Sequence, residues 1–217
     1  MHPIPALLFV PLLSGAAAGP HPSYPLSAAV PEPIPGARQD QFGPAPLGFR
    51  PPLSVEFALS GDSAWLAARH RFDQGEGFGS VGLLFNDEDD YALAGQLMRF
   101  GQPESDLPIE LGVGVGLYLI SVDKPDSSAY AVSLNGSASY SIPAEFPTTF
   151  SLQLALAPKI TSFSDGEGLL DLLARVEFEL SEYATGFLGF RLFEVDLDDE
   201  SGYELDDQVH LGVRVGI

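Results

Sequence analysis

Ten ionisable residues stand at alternate positions within apolar stretches: Glu56, Arg69, Arg71, Glu110, Asp171, Arg175, Glu177, Arg191, His210 and Arg214. Each occupies the parity opposite to the aliphatic residues around it, so a single polar face collects both signs of charge and each charge can find a partner there. Histidine and carboxylate chemistry is the first possibility to weigh. Nucleophilic hydrolysis needs a serine, a histidine and a carboxylate converging, and only His70 and His210 fall in the strand-forming part of the chain. His210 shares its face with Arg214 and could meet a carboxylate from a neighbouring strand; a hydrogen-bonded structural histidine is the simpler expectation. His70 has the outward parity near a strand end. No pair of carboxylates at defined spacing supports glycosidase chemistry, and the absence of cysteine removes thiolate nucleophiles and thiolate metal sites.

A second candidate is the acidic stretch 195–207, VDLDDESGYELDD. Asp196, Asp198, Asp199 and Glu200 offer hard oxygen ligands of the kind calcium and magnesium prefer. The EF-hand spacing fails, because Glu200 and Ser201 stand where a third Asp or Asn and a glycine are needed. A solvated acidic loop, which divalent cations bridge weakly to anionic lipid headgroups, is the resulting expectation; no cofactor is expected.

The elements that must position these residues are strands. Residues 109–119 (IELGVGVGLYL) place Ile109, Leu111, Val113, Val115, Leu117 and Leu119 on one face and Glu110, Gly112, Gly114, Gly116 and Tyr118 on the other. Strands of soluble domains usually stop at about 5 or 6 residues, whereas crossing a bilayer takes about 9 to 11. Ten such segments follow one another: 53–60, 63–73, 78–86, 91–100, 109–121, 130–142, 150–160, 169–180, 183–194 and 208–217. The face assignment of 91–100 stays open, since either choice turns Arg99 or Gln96 outward.

Alternation alone does not say whether the apolar face meets lipid or a soluble core. Three patterns favour lipid. The polar faces mix glycine and serine with opposite charges, which suits a narrow lumen. Aromatics gather at strand ends, Phe72, Phe78, Phe100, Tyr140, Phe150, Phe178 and Tyr183 toward one rim and Phe85, Tyr91, Tyr130, Phe163 and Phe193 toward the other, as two girdles about 25 Å apart require. The connections also differ by side: seventeen of the thirty carboxylates fall in one set, counted with Glu194, and six in the other. The expected architecture is an all-β, antiparallel transmembrane barrel of about ten strands forming one domain over residues 53–217.

Upstream, residues 4–13 (IPALLFVPLL) and the small-residue run after them predict an export signal cleaved after Ala18, spanning 1–18. Residues 19–52 are rich in proline and glycine and carry neither periodicity, which predicts an extended linker. No apolar run is long enough for a membrane helix in the body of the chain. A formal charge of −20 repels phosphate backbones, so nucleic acid is excluded as a partner.

The stretches SVEFALSGDSAWLAARHRF, GSVGLLFNDEDDYALAGQL, ELGVGVGLYL, GFLGFRLFEVD and LGVRVGI together resemble the YfaZ-like outer-membrane proteins. The resemblance covers nearly everything after Leu53 and implies an exported small barrel in the outer membrane of a Gram-negative bacterium, with no catalytic residues to transfer. Ile217 departs from the aromatic residue on which outer-membrane barrels commonly finish. The expected role is structural, or at most a narrow pore whose acidic mouth favours cations. The alternative is a soluble periplasmic barrel that binds an apolar ligand.

Overall fold

The computed structural model describes residues 51–72, 76–103, 107–123, 126–142, 146–198 and 201–217. The chain divides into two units, Met1–Gln41 and Phe42–Ile217. The expected signal, most of the expected linker, and the first unit with them lie outside the described residues.

Twelve strands follow one another: β1 (Leu53–Leu59), β2 (Ser63–Arg71), β3 (Gly77–Asn86), β4 (Tyr91–Gly101), β5 (Ile109–Val122), β6 (Ser127–Ile142), β7 (Thr148–Ala157), β8 (Ser162–Ser164), β9 (Gly166–Ser181), β10 (Ala184–Leu197), β11 (Tyr203–Asp206) and β12 (Val209–Gly216). Each of β1 to β6 pairs antiparallel with the next, β7 pairs β9, β9 pairs β10, β10 pairs β12, and β12 returns to β1. The ring of ten is therefore closed, which leaves no unpaired edge. All ten segments read from the sequence are members of it.

The two short strands are extensions at one end. β8 continues the line of β7 beside the far end of β6, after a 3-10 turn at Lys159–Thr161. β11 continues β12 beside β10, joined across the break by the bond from the Arg191 amide to the Gln208 carbonyl. The wall is uneven as a result: β5, β6, β9 and β10 have 14 to 16 residues, against 7 to 11 in β1 to β4. The tall strands rise at the end bearing the acidic turns.

The acidic stretch 195–207 is thus not a solvated loop. Its own alternation continues the barrel pattern, with Val195, Leu197, Leu205 and Asp206 buried, so most of it folds as a β10–β11 hairpin. Polarity by composition hid this, because the carboxylates Glu194, Asp196 and Glu204 occupy only the opposite parity.

The exterior is apolar. Among the described residues thirty-six large aliphatic or aromatic side chains are exposed, Val113 at 71% and Leu134 at 72% among them. At about 1.5–3 kcal/mol for each such side chain left in water, the sum would exceed by several-fold the 5–15 kcal/mol or so of net stability typical of a domain. Water is therefore the wrong solvent for this surface. In β4 the ambiguity resolves with Ala92, Ala94, Gln96, Met98 and Phe100 inward and Leu93, Leu97 and Arg99 outward. Arg99 sits near the strand end, exposed, with Glu76 at 3.4 Å.

Candidate functional site

Inward-facing residues fill the barrel in two kinds of layer. Toward the acidic end the layer is apolar: Leu84, Ile120, Val122, Ala129, Ala131, Ala157, Leu169, Val195, Leu197 and Leu205 form one contiguous cluster, continuous with Trp65, Tyr118, Phe187 and Phe193. Glycines on the interior face make the aromatic rings fit. A Cβ on Gly82 would collide with the Trp65 ring, and one on Gly212 with the Phe187 ring. Some of the small residues that read as lining a narrow lumen are seats for rings from adjacent strands.

Three of the aromatics assigned to the rims belong to this interior. Phe193 is fully buried and meets Tyr118 edge-on at 5.7 Å, while Phe78 and Phe100 lie 5.5 Å apart inside the opposite half. Position near a strand end set their height correctly but not their side; parity decides that. Phe72, Tyr140, Phe150, Phe178 and Tyr183 are exposed at one end, and Phe85, Tyr91, Tyr130 and Phe163 at the other.

Below the apolar layer lies a charged one. Arg175 Nη2 is 2.7 Å from Glu56 Oε1, and Arg214 donates to Glu56 Oε2 through Nε and Nη2 at 3.1 and 2.9 Å. Arg214 also donates to both oxygens of Glu177 at 3.0 Å. Arg191 holds Asp171 with two bonds, and the Tyr118 hydroxyl donates to the same carboxylate. The guanidinium of Arg191 lies between rings, 4.5 Å from the Trp65 centroid and 4.8 Å from that of Phe193, and Arg175 covers Phe187 at 4.3 Å. A guanidinium can pair with carboxylate in its plane and with a ring on its face, which lets charge pack within an otherwise apolar bore. Arg69, Arg71 and Glu110 share the inward parity and are half-buried. The ten charged positions therefore lie on one interior surface, and the structure joins Glu56, Asp171, Glu177, Arg175, Arg191 and Arg214 into two networks.

His210 lies apart from them. Its Nε2 is 2.8 Å from Asp206 Oδ2, and the Ser63 hydroxyl donates to that same oxygen at 3.2 Å. The serine is aimed at the carboxylate and not at the imidazole, so the trio lacks the nucleophile-to-base bond of acyl transfer. Asp206 sat in the stretch expected to be a loop, and it is the carboxylate from a neighbouring segment that His210 meets. His70 is exposed beside Phe72, with ring centroids 5.8 Å apart.

At the acidic end Asp196 Oδ1 accepts from the Ser201 hydroxyl and the Gly202 amide, closing the β10–β11 turn. That oxygen is occupied by the turn itself. Asp199 and Glu200 lie outside the described residues, and among the described residues no three His, Asp or Glu side chains gather as a metal site. A clasp that sequence reasoning missed crosses the same end: Tyr203 in β11 donates to Asp90 Oδ2 at 2.8 Å, Asn86 donates to the Leu205 carbonyl, and Asp90 Oδ1 accepts the Asp123 amide. It ties the tall hairpin to the short β3–β4 turn. The DEDD run at 87–90 was its only trace in the sequence.

The class so defined is a closed ten-stranded antiparallel barrel, apolar outside and charged or close-packed within. No family model and no curated protein matches the chain, so the resemblance to YfaZ-like proteins stands on its segments alone. Among solved structures the chain is similar to one titled "KdgM porin", at 8% identity and a TM-score of 0.41, covering 76% of this chain and 98% of that one. It is also similar to the outer membrane channel DcaP of Acinetobacter baumannii, at 12% identity and a TM-score of 0.36, covering 74% of this chain and about half, 53%, of the other. Scores this low carry no functional weight, and the fold rests on the strand pairing itself.

Proposed function

We propose that the chain is an integral barrel of the Gram-negative outer membrane, without enzymatic activity, whose lumen is closed at rest. The observation that carries this reading is the combination of an exterior too apolar for water with an interior that holds the buried ion pairs of Glu56, Asp171 and Glu177. Only a bilayer satisfies both faces of such a wall, and a closed barrel satisfies its backbone there. A role as an open diffusion pore is disfavoured by the apolar layer of Ile120, Val122, Phe193 and Leu205 across the acidic half; a structural role in the membrane fits it. The YfaZ-like resemblance points to the same setting.

The acidic turns would face outward, where divalent cations could bridge them to anionic headgroups. A calcium titration that moved neither the melting point nor tyrosine fluorescence would remove that part. The principal test is membrane fractionation followed by electrophoresis with and without boiling. The folded barrel should stay in the outer-membrane fraction and migrate faster unboiled. Extraction by buffer alone would overturn the reading and favour the soluble periplasmic barrel.

A further inference from the structure

Few buried charged atoms among the described residues lack a hydrogen bond, and one of them, Arg175 Nε, belongs to a residue that lines a cavity. A cavity of about 40 Å³ lies inside the barrel beside Trp65 and Tyr118, large enough for about three waters. Its charged lining is Arg69, Arg175 and Arg191 against Glu56 and Asp171. Both carboxylates are already engaged. Asp171 takes Arg191 on its two oxygens and Tyr118 on one, and Glu56 takes Arg175 on one oxygen and Arg214 on the other.

The arginines are not equally served. Arg175 has a side chain only 6% exposed, and its Nε has no hydrogen-bond partner among the described residues. Arg69 stacks on Phe78 at 4.2 Å and, among the described residues, has no carboxylate at ion-pair distance. Since Arg214 and Glu177 balance one another, the three guanidiniums at the cavity exceed its two carboxylates by one positive charge. The amide groups of Gln96 and Gln153 reach the same space and supply further donors. An unpaired charge inside a narrow bore is costly, and a counterion small enough to enter removes that cost.

We propose that this cavity binds one small monovalent anion, of the size of chloride or nitrate, between Arg69 and the free Nε of Arg175. The apolar layer closes the approach from the acidic end, so the ion enters from the other side. The volume is too small for a sugar acid such as gluconate. The site depends on the closed barrel and its charged layer, and not on which membrane surrounds them.

The test uses the folded full chain. Anomalous diffraction from crystals grown in sodium bromide should place a bromide within hydrogen-bond reach of Arg69 and Arg175 Nε; water alone at that position overturns the proposal. In solution, reversible urea unfolding in detergent is compared at constant ionic strength while gluconate, too large for the cavity, is replaced by chloride or nitrate. Stabilisation that grows with the logarithm of anion concentration is expected, with about an elevenfold gain in the folding equilibrium at ten times the dissociation constant, and Arg69→Gln should abolish the difference between salts. Equal stability of the unsubstituted chain in gluconate and chloride overturns the proposal, and that comparison decides even if Arg69→Gln does not fold.

Discussion

Arg191 grips Asp171 from the adjacent strand through two bonds, Nε to Oδ1 at 2.9 Å and Nη2 to Oδ2 at 2.8 Å, although the two residues are not directly opposite: Arg191 faces Leu173, and Asp171 faces Phe193. The diagonal spacing gives the long side chain room to turn its planar end parallel to the carboxylate. Removing one partner of such a buried pair leaves an uncompensated charge. Asp171→Ala should therefore lower unfolding stability by about 3–5 kcal/mol, while Asp171→Leu combined with Arg191→Met should recover most of that loss. Urea unfolding in detergent followed by electrophoretic mobility checks both, and equal losses in the single and double variants would contradict the assignment.

Leu134 decides which solvent surrounds the wall. It lies on the outer face in the middle of β6, 72% exposed. In a bilayer Leu134→Arg should cost about 2–4 kcal/mol. Were the barrel soluble, the same change would raise solubility and leave folding intact. Refolding yield into vesicles distinguishes the outcomes.

Tyr118 and Phe193, edge-on inside the bore, close it between the charged and aliphatic layers. Planar bilayers carrying the unsubstituted chain should show no stepwise conductance. Tyr118→Ala with Phe193→Ala should open a small leak, provided that heat-dependent mobility confirms folding, since each truncation costs about 3–5 kcal/mol. Steady channels from the unsubstituted protein would refute the closed lumen.

The Tyr203 phenol is held above the usual tyrosine range, first by burial and then by its bond to Asp90 and the charges of Asp90 and Glu88. A raised folded value means that the folded chain keeps a proton the unfolded chain gives up. The Tyr203 contribution to stability is thus fully present below the ordinary tyrosine pKa of about 10 and is lost as pH rises through the folded value. The ultraviolet difference between the unsubstituted chain and Tyr203→Phe should titrate above the ordinary tyrosine range. An ordinary alkaline midpoint would show that the clasp over the acidic end is not closed in solution.

The sequence by itself determined the number of ring strands, their approximate ends and the side of the wall most charged residues take, Arg99 excepted, because a period of two leaves only one bit of freedom per strand. It also placed Glu56, Asp171, Glu177, Arg175, Arg191 and Arg214 on one face. Only the tertiary structure decided who meets whom, since the register between β1, β12, β10 and β9 sets those pairs and no local pattern encodes a stagger. It likewise seated Trp65 on Gly82, Phe100 on Gly112 and Phe187 on Gly212, each glycine supplied by another strand, and drew most of 195–207 into a hairpin through burial of Leu197 and Leu205. The closure of the bore belongs to the same level. It arises where side chains from strands distant in sequence fill one volume, and the alternation of each strand is the same whether that volume is empty or full.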